Sequence, residues 1–195
     1  MHGLINRAIQ AFTRDTYGND TWLRVTAEAG LGYSEFEAML SYEDDITRAV
    51  TQSLGEVLGR PSGDVLEDLG TYLVSHPSVE ALRRLLRFGG DNYVEFLHSL
   101  DELPDRVRMA VCDLSLPSLD LREYAAGRYS LSCGPGLPGY SRVMTGILRA
   151  MADDYGALAM LECKGGGDDH DVIEITLVEN AFFEGRSFEL GVRDG

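Results

Sequence analysis

The sequence predicts an α+β fold in which a helical N-terminal part precedes a small antiparallel sheet with one long helix. Apolar residues recur at helical spacing in the first part, and the spacing changes to that of strands after Leu114. The 195 residues suffice for one domain with a shared core. We expect a single domain over 1–195, with a helical part over 1–112 and an α+β part over 113–195.

The net charge of −15 narrows the classes of partner. Nucleic acids and anionic lipids are bound mainly through their phosphates, so an acidic chain favours a protein or a small molecule as partner. No apolar run reaches the length of a membrane span, and no signal peptide is recognisable. The expected location is the cytoplasm, where Cys112, Cys133 and Cys163 would remain reduced thiols.

Amphipathic stripes divide the N-terminal part into helices. They cover 1–15, 34–40, 43–58, 64–75 and 78–88, with further helices around Trp22, around Phe96 and from Pro104 onward. The helix over 34–40 rests on the capping-box spacing of Ser34 and Glu37. Arg83, Arg84 and Arg87 point outward from their helix, as a solvated face or as a contact for an acidic partner.

Strand and helix signals alternate in the C-terminal part. Residues 114–133 are typical of a hairpin that turns at 124–127, and 140–154 return to a helical stripe. Two more strands, 157–163 and 172–178, flank a turn rich in glycine and aspartate. Residues 182–192 form a short tail that is expected to cover a sheet edge.

No catalytic motif is recognisable. GxGxxG, P-loop, HExxH, CxxC and GxSxG patterns are all missing from the sequence, which disfavours an enzyme. Cys163 and His170 bracket an acidic turn, but a solvated hairpin tip is favoured over a metal site because no second Cys/His pair accompanies them. His98, beside Phe96 and Leu97 at the edge of an apolar stripe, is either hydrogen-bonded in place or a cofactor ligand.

Short motifs along the chain follow one another in a recognisable order. They are Met1-His2-Gly3-Leu4-Ile5, Tyr17-Gly18 before Trp22, Gly70-Thr71-Tyr72, Phe88-Gly89-Gly90, Phe96-Leu97 with Leu100-Asp101, Leu116-Pro117-Ser118 and Gly146-Ile147-Leu148. Together they resemble the heme nitric oxide/oxygen-binding (H-NOX, or HNOB) domain family. The resemblance covers nearly the whole chain, and that family's order of helices and then an α+β part agrees with the pattern above.

The resemblance implies a heme cofactor, with one departure at the iron ligand. In that family a histidine three residues after the Leu-Asp pair ligates the iron, and here the position is Pro104. Proline has no side-chain donor, so it cannot replace an imidazole, although it is tolerated in the first turn of a helix. If heme is retained by another ligand, His98, about one and a half turns upstream, is the candidate metal ligand.

The family's other heme contacts are carried over only in part. A Tyr-x-Ser-x-Arg motif holds the heme propionates there, and no register supplies all three residues here. Tyr129 and Ser132 lie near the expected positions, and Arg142 would supply the charge from the next helix. Pro117 matches a proline that presses on the heme, and Ile5 belongs to the family's opening motif.

By resemblance, the chain is expected to be a stand-alone, non-enzymatic sensor that binds heme and a diatomic gas such as nitric oxide. It would then regulate a signalling enzyme, such as a cyclic-di-GMP enzyme or a histidine kinase. Gas binding would alter the iron ligation and shift the helical part against the sheet. The alternative is a heme-free interaction module of the same fold, with a partner protein or an apolar ligand in the vestigial pocket, which Pro104 and the incomplete propionate motif favour.

Overall fold

The structure, a computed structural model, describes residues 1–165 and 171–178. Within them, seven α-helices precede a four-stranded sheet and one long helix. The helices are α1 (Gly3–Tyr17), α2 (Asn19–Glu28), α3 (Asp44–Leu58), α4 (Ser62–Ser75), α5 (Glu80–Arg87), α6 (Tyr93–His98), α7 (Leu103–Ala110) and α8 (Tyr140–Tyr155). The strands are β1 (Leu119–Ala125), β2 (Arg128–Cys133), β3 (Ala159–Lys164) and β4 (Asp171–Leu177). The predicted α+β fold class is confirmed.

The four strands form one antiparallel sheet in the order β1-β2-β4-β3. Leu131 in β2 lies opposite Leu121 in β1 and Ile173 in β4. Alternate residues of a strand point to the same face, and on one face Tyr129, Leu131, Ile173 and Ile175 are buried. The long helix α8 contacts β3 and β4. The predicted pairing of a small sheet with one long helix is therefore present.

Helices α4 and α8 cross with their backbones in close approach. Gly70 of α4 and Gly146 of α8 lie at the crossing. A β-carbon added at Gly70 would overlap the carbonyl oxygen of Val143, and one added at Gly146 would overlap that of Glu67. The crossing therefore requires glycine on both helices, because backbone cannot move aside as a flexible side chain does.

Two buried clusters meet near this crossing. One lies among the first four helices and includes Phe12 and Trp22. The other joins Phe96 of the helical part to Leu131 of the sheet. Val143 of α8 packs against both clusters. Buried apolar contacts thus connect the first helices to the sheet, and they include residues of both the helical part (1–112) and the α+β part.

Residues 34–40 do not form the helix that the capping-box spacing predicts. Glu35 instead accepts hydrogen bonds from Gln10 and Arg14 of α1, each at 2.6 Å. The backbone N–H of Phe36 donates to the side-chain oxygen of Gln10 at 3.0 Å, and the Phe36 side chain is buried. These contacts hold the segment against α1 in an irregular conformation, so tertiary packing overrides the local signal.

The arginines of α5 do not form a purely solvated face. Arg83 and Arg87 both pair with Asp154 near the end of α8, and the guanidinium of Arg87 lies 4.2 Å from the ring centroid of Tyr155. Only Arg84 pairs within its own helix. The acidic residue that Arg83 and Arg87 contact therefore belongs to the same chain and not to a partner.

Other predicted elements agree with the structure to within a few residues. The helix predicted over 78–88 is a 3-10 turn, Pro77–Val79, followed by α5. The strands predicted over 157–163 and 172–178 correspond to β3 and β4. His170 and the tail over 182–192 lie outside the described residues. In the part of the chain that the structure covers, no helix is long and apolar enough to cross a membrane.

Replacing Gly146 by alanine is expected to destabilise the fold. Alanine gains roughly 1 kcal/mol of helix propensity over glycine, but its β-carbon overlaps backbone, and overpacking of this kind costs about 1–3 kcal/mol or more. The measurement is the free energy of unfolding by urea. Gly32→Ala is the control, because no atom lies within 4 Å of the added β-carbon there. A Gly146→Ala variant as stable as the wild type would contradict the close crossing.

Candidate functional site: an apolar cavity at the helix junction

A cavity of about 210 Å³ lies where the helical part meets α8. Its walls come from α1, α4, α5, α7, the segment before β1, the loop before α8 and α8 itself, so both parts of the chain contribute to it. The lining residues are Leu4, Ile5, Ala8, Leu69, Leu73, Leu82, Leu86, Leu103, Val107, Leu114, Leu116, Leu137, Tyr140, Val143, Met144 and Ile147.

The cavity has no charged group on its walls. None of the lining residues is charged, and none is a histidine or a cysteine. Every one of them is buried or half-buried. An ionised group placed here would lose its hydration without gaining a partner, which is strongly unfavourable. The cavity therefore suits a neutral molecule.

Tyr140 contributes the only hydroxyl group among the lining residues. Its side chain is 5% exposed, and within the described residues its hydroxyl has no hydrogen-bond partner. Burial raises the pKa of the Tyr140 phenol above its usual value, so the group stays protonated and can donate. A buried polar group without a partner costs about 1–3 kcal/mol. The hydroxyl oxygen is itself enclosed by protein, so the ring of Tyr140 and not its oxygen contributes to the cavity wall.

Two other buried groups near α8 differ from Tyr140. The hydroxyl of Tyr93 donates to the backbone oxygen of Leu148 at 3.0 Å, so it is already satisfied. Burial also raises the pKa of the Cys133 thiol, to about 12, and the thiol stays protonated. Neither residue lines the cavity. Of the two buried tyrosine hydroxyls, that of Tyr93 has a partner and that of Tyr140 has none among the described residues.

The residues predicted to bind heme do not converge on the cavity. Ile5 lines it, whereas Pro117 is buried just beyond the lining residue Leu116. Tyr129 and Ser132 lie in β2 and are not lining residues. Their roles in cofactor binding stay predictions.

Arg142, the predicted partner of the heme propionates, faces α4. Its side chain lies against Gly63 near the start of that helix, where a β-carbon would sit 3.4 Å from Nε of the arginine. Arg142 is half-buried and is not a lining residue of the cavity. A role in binding an anionic group stays a prediction.

His98, the predicted metal ligand, lies at the end of α6 and is exposed. Its ring packs edge-on against that of Tyr129, with the centroids 5.9 Å apart. Pro104 is in the first turn of α7, where its neighbours Leu103 and Val107 line the cavity. The side of α7 that faces the cavity therefore carries aliphatic side chains and no imidazole.

A polar cluster away from the cavity joins α1 to the end of α4. Tyr72 donates to Asp15 at 2.6 Å and lies 3.2 Å from the hydroxyl of Ser78. That hydroxyl is 2.7 Å from Nδ1 of His76, and Asp15 is 3.7 Å from the same nitrogen. A catalytic relay needs the acid and the nucleophile on opposite ring nitrogens. The cluster is therefore a structural link between helices.

No cluster of three or more His, Cys, Asp or Glu residues could hold a metal ion in 1–165 and 171–178. This leaves the apolar cavity as the candidate site. The comparison with known proteins then decides the family: a match to the Haem-NO-binding family spans residues 2–162. The chain belongs to the Haem-NO-binding family. The membership predicted from the ordered motifs is confirmed.

Relatives agree with this membership, and solved structures agree with the fold. The chain is 27% identical to soluble guanylate cyclase gcy-35 of Caenorhabditis elegans over 194 residues, 93% of this chain, and 27% identical to gcy-32 of the same organism over 155 residues, 78% of this chain. It spans 28% and 23% of those proteins, about a quarter of their length. The unliganded Fe(II) H-NOX protein from K. algicida superposes with a TM-score of 0.80 at 16% identity, covering 94% of this chain and 100% of that one.

Membership implies heme as the cofactor, because the family and its solved structures are heme-binding domains. The domains of this family sense gases and regulate partner enzymes, and they are not themselves catalytic. For this Haem-NO-binding chain, the question is then whether its own cavity fits a heme.

The described residues do not fit heme in this cavity. A porphyrin ring has about four times as many non-hydrogen atoms as benzene, which occupies a cavity of about 150 Å³, whereas this one measures about 210 Å³. The two propionates would find no cation on the lining. Tyr140 and Met144 are of residue types that ligate heme iron in other proteins. The volume and the uncharged walls nevertheless disagree with the group that membership implies.

Tyr140 is not among the predicted site residues. It lies at the start of the helical stripe predicted over 140–154 and shares a helix face with Met144 and Ile147, at i, i+4 and i+7. The leucines of α4 and α5 follow an ordinary core pattern, and they come to line a cavity only in the folded chain. The helical spacing could therefore have placed Tyr140 beside Met144 and Ile147, but nothing in the sequence indicated the cavity itself.

Removing the hydroxyl should affect the two buried tyrosines differently. Tyr93→Phe leaves the Leu148 carbonyl with one partner fewer and is expected to lower the free energy of unfolding by about 1 kcal/mol. Tyr140→Phe removes a group without a partner, so stability is expected to be unchanged or slightly higher. Urea denaturation of both variants is the measurement. An equal loss in both would show that Tyr140 has a hydrogen bond that the structure lacks.

Proposed function

We propose that this chain is a non-enzymatic regulatory domain that controls a signalling enzyme through a ligand bound in the apolar cavity. The observation that carries the proposal is that both parts of the chain line this cavity. A ligand with different affinities for two arrangements of those parts shifts the balance between them. The proposed partner class is a cyclic-di-GMP enzyme or a histidine kinase.

The α4–α8 crossing offers a route for such a shift. Leu69 and Leu73 of α4 and Val143 and Ile147 of α8 line the cavity, on the helices that meet at the glycine contact. Because that contact is between backbones, small displacements cannot be absorbed by side-chain rotation. A change in cavity occupancy would therefore move one helix relative to the other and reach the sheet through α8.

Heme with a diatomic gas such as nitric oxide is the ligand that family membership implies. In this version His98 would hold the iron, with Ile5, Pro117, Tyr129, Ser132 and Arg142 around the cofactor. The version is supported by the family match alone.

A heme-free regulatory module is the second candidate, and three observations favour it. Pro104 stands where the family's iron ligand is expected. His98 is exposed and outside the cavity lining. The cavity itself is small and uncharged. The geometry of the cavity supports the heme-free candidate better than the heme version. The regulatory role is the same in both, and only the ligand differs.

Titration with hemin separates the two candidates. The heme-free version predicts no stoichiometric binding and no shifted Soret band when the purified chain is mixed with hemin under reducing conditions. His98→Ala is the matched variant, and its spectrum is expected to equal that of the wild type. Stoichiometric binding that His98→Ala abolishes would instead establish the heme version.

Capture of the partner tests the regulatory role itself. The tagged full chain, used as bait in extracts from heme-replete and heme-depleted cells, is expected to retain the same cyclic-di-GMP enzyme or histidine kinase from both. The retained enzyme is identified by mass spectrometry, and its activity is measured with and without the chain. Retention only from heme-replete extracts would contradict the heme-free version. A chain that changes no such activity would contradict the regulatory role.

A further inference from the structure

The connection between α2 and α3 contains a turn that presents two apolar side chains to solvent. Met39 and Leu40 are 76% and 54% exposed. The N–H of Leu40 donates to the backbone oxygen of Glu37 at 3.3 Å and closes the turn. Single apolar residues are common on protein surfaces, so exposure alone assigns no role to this pair.

The backbone of this turn is held against the start of α1. The N–H of Gly3 donates to the oxygen of Leu40 at 2.7 Å, and that of Tyr42 donates to the oxygen of Met1 at 2.8 Å. The hydroxyl of Tyr42 accepts from the N–H of Glu37 at 2.8 Å. A β-carbon at Gly3 would overlap the backbone oxygen of Glu37. The two apolar side chains are therefore presented on a fixed backbone, which lowers the entropy cost of a contact with another molecule.

The surroundings of the turn are acidic. Residues 35–45 contain five carboxylates and no lysine or arginine. Three of the carboxylates form ion pairs within the chain, whereas those of Glu37 and Glu43 are exposed and form none among the described residues. An open groove of about 570 Å³, lined by residues 41–46, lies next to the turn.

This charge selects among the molecules that could cover the apolar pair. A second copy of the chain would bring like charges together, as would an anionic lipid or a nucleic acid. A protein surface on which lysine or arginine side chains surround an apolar patch is complementary in both respects. The groove beside the turn has room for such a basic side chain.

The start of α1 connects the turn to the cavity. Gly3 contacts the backbone of the turn, and the next two residues, Leu4 and Ile5, line the cavity. A ligand that favours a different position of these two side chains also shifts the first residues of α1. Because hydrogen bonds join those residues to the turn, the apolar pair moves with them.

We propose that the turn over 37–41 is the surface on which the regulated signalling enzyme docks, with Met39 and Leu40 in an apolar patch that lysine or arginine side chains surround. This proposal rests on the proposed regulatory function and names the docking surface of its partner. Occupancy of the cavity controls the position of that surface through the start of α1.

Binding of the enzyme to variants of the full chain tests this surface. The probe is the purified enzyme that the wild-type chain retains, and dissociation constants are measured by isothermal titration calorimetry. Met39→Ser combined with Leu40→Ser is expected to weaken binding at least about tenfold, because anchor side chains dominate an interface. The free energy of unfolding is expected to stay that of the wild type. The matched control is Met109→Ser combined with Met160→Ser, at positions 78% and 65% exposed, which is expected to bind as the wild type does.

Two further variants test the charge and the rigid backbone. Glu37→Gln combined with Glu43→Gln is expected to weaken binding about two- to fivefold at low salt, and much less at high salt. Gly3→Ala displaces the turn and leaves its exposed side chains unchanged. It is expected to weaken binding about threefold or more, since the turn must then be ordered on binding.

The possible failures are distinguishable. If the double serine variant of the turn binds as tightly as the wild type, or if the control loses as much affinity, the turn is not the docking surface and the regulatory function stands. If the wild-type chain retains no signalling enzyme, the regulatory function fails and this surface fails with it. Self-association of the wild type that the turn variant abolishes, measured by analytical ultracentrifugation, would assign the turn to a second copy and overturn the proposed partner.

Discussion

The contact between Gly70 and Gly146 is the constraint on which the rest of the structure depends. It lets α4 and α8 approach until the backbone of each meets the other, and a β-carbon at either position would overlap a carbonyl oxygen. Because α8 covers the sheet and α4 belongs to the helical part, this one crossing joins the two. The buried clusters on either side meet there through Val143. Glycine at these positions therefore determines the geometry of the site as well as the stability of the fold.

Both helices of this crossing line the cavity, and α1, α5 and α7 surround the same space with aliphatic residues. On the α7 side, Leu103 and Val107 face this space, while Pro104 lies between them in sequence and is not part of the lining. The chain thus keeps the fold of the Haem-NO-binding family, and the walls of its cavity offer no cation and no imidazole.

Much of the fold could be predicted from the sequence, because the spacing of apolar residues indicates where helices and strands lie. The change from helical to strand spacing near Leu114 and the ordered motifs gave the fold class and the family. The irregular conformation of 34–40 could not be predicted, because Glu35 accepts hydrogen bonds from Gln10 and Arg14, more than twenty residues away in the chain. For the same reason the sequence left Arg83 and Arg87 either in solvent or in contact with an acidic partner, since Asp154 becomes their neighbour only after folding.

The site was less predictable than the fold. Motif order pointed to Ile5, which lines the cavity. His98, chosen as the substitute for the ligand missing at Pro104, lies at the surface of α6. The size of a cavity depends on how helices diverge, and no spacing in the sequence encodes that. Likewise, whether a tyrosine hydroxyl has a partner depends on residues far apart in the chain, as the contrast between Tyr93 and Tyr140 shows.

Native mass spectrometry of the full chain, purified from heme-replete cells, tests the central claim most directly. The claim is that the junction cavity does not accommodate heme. The predicted spectrum contains the mass of the chain without a porphyrin adduct. One heme per chain, retained through purification, would contradict the account.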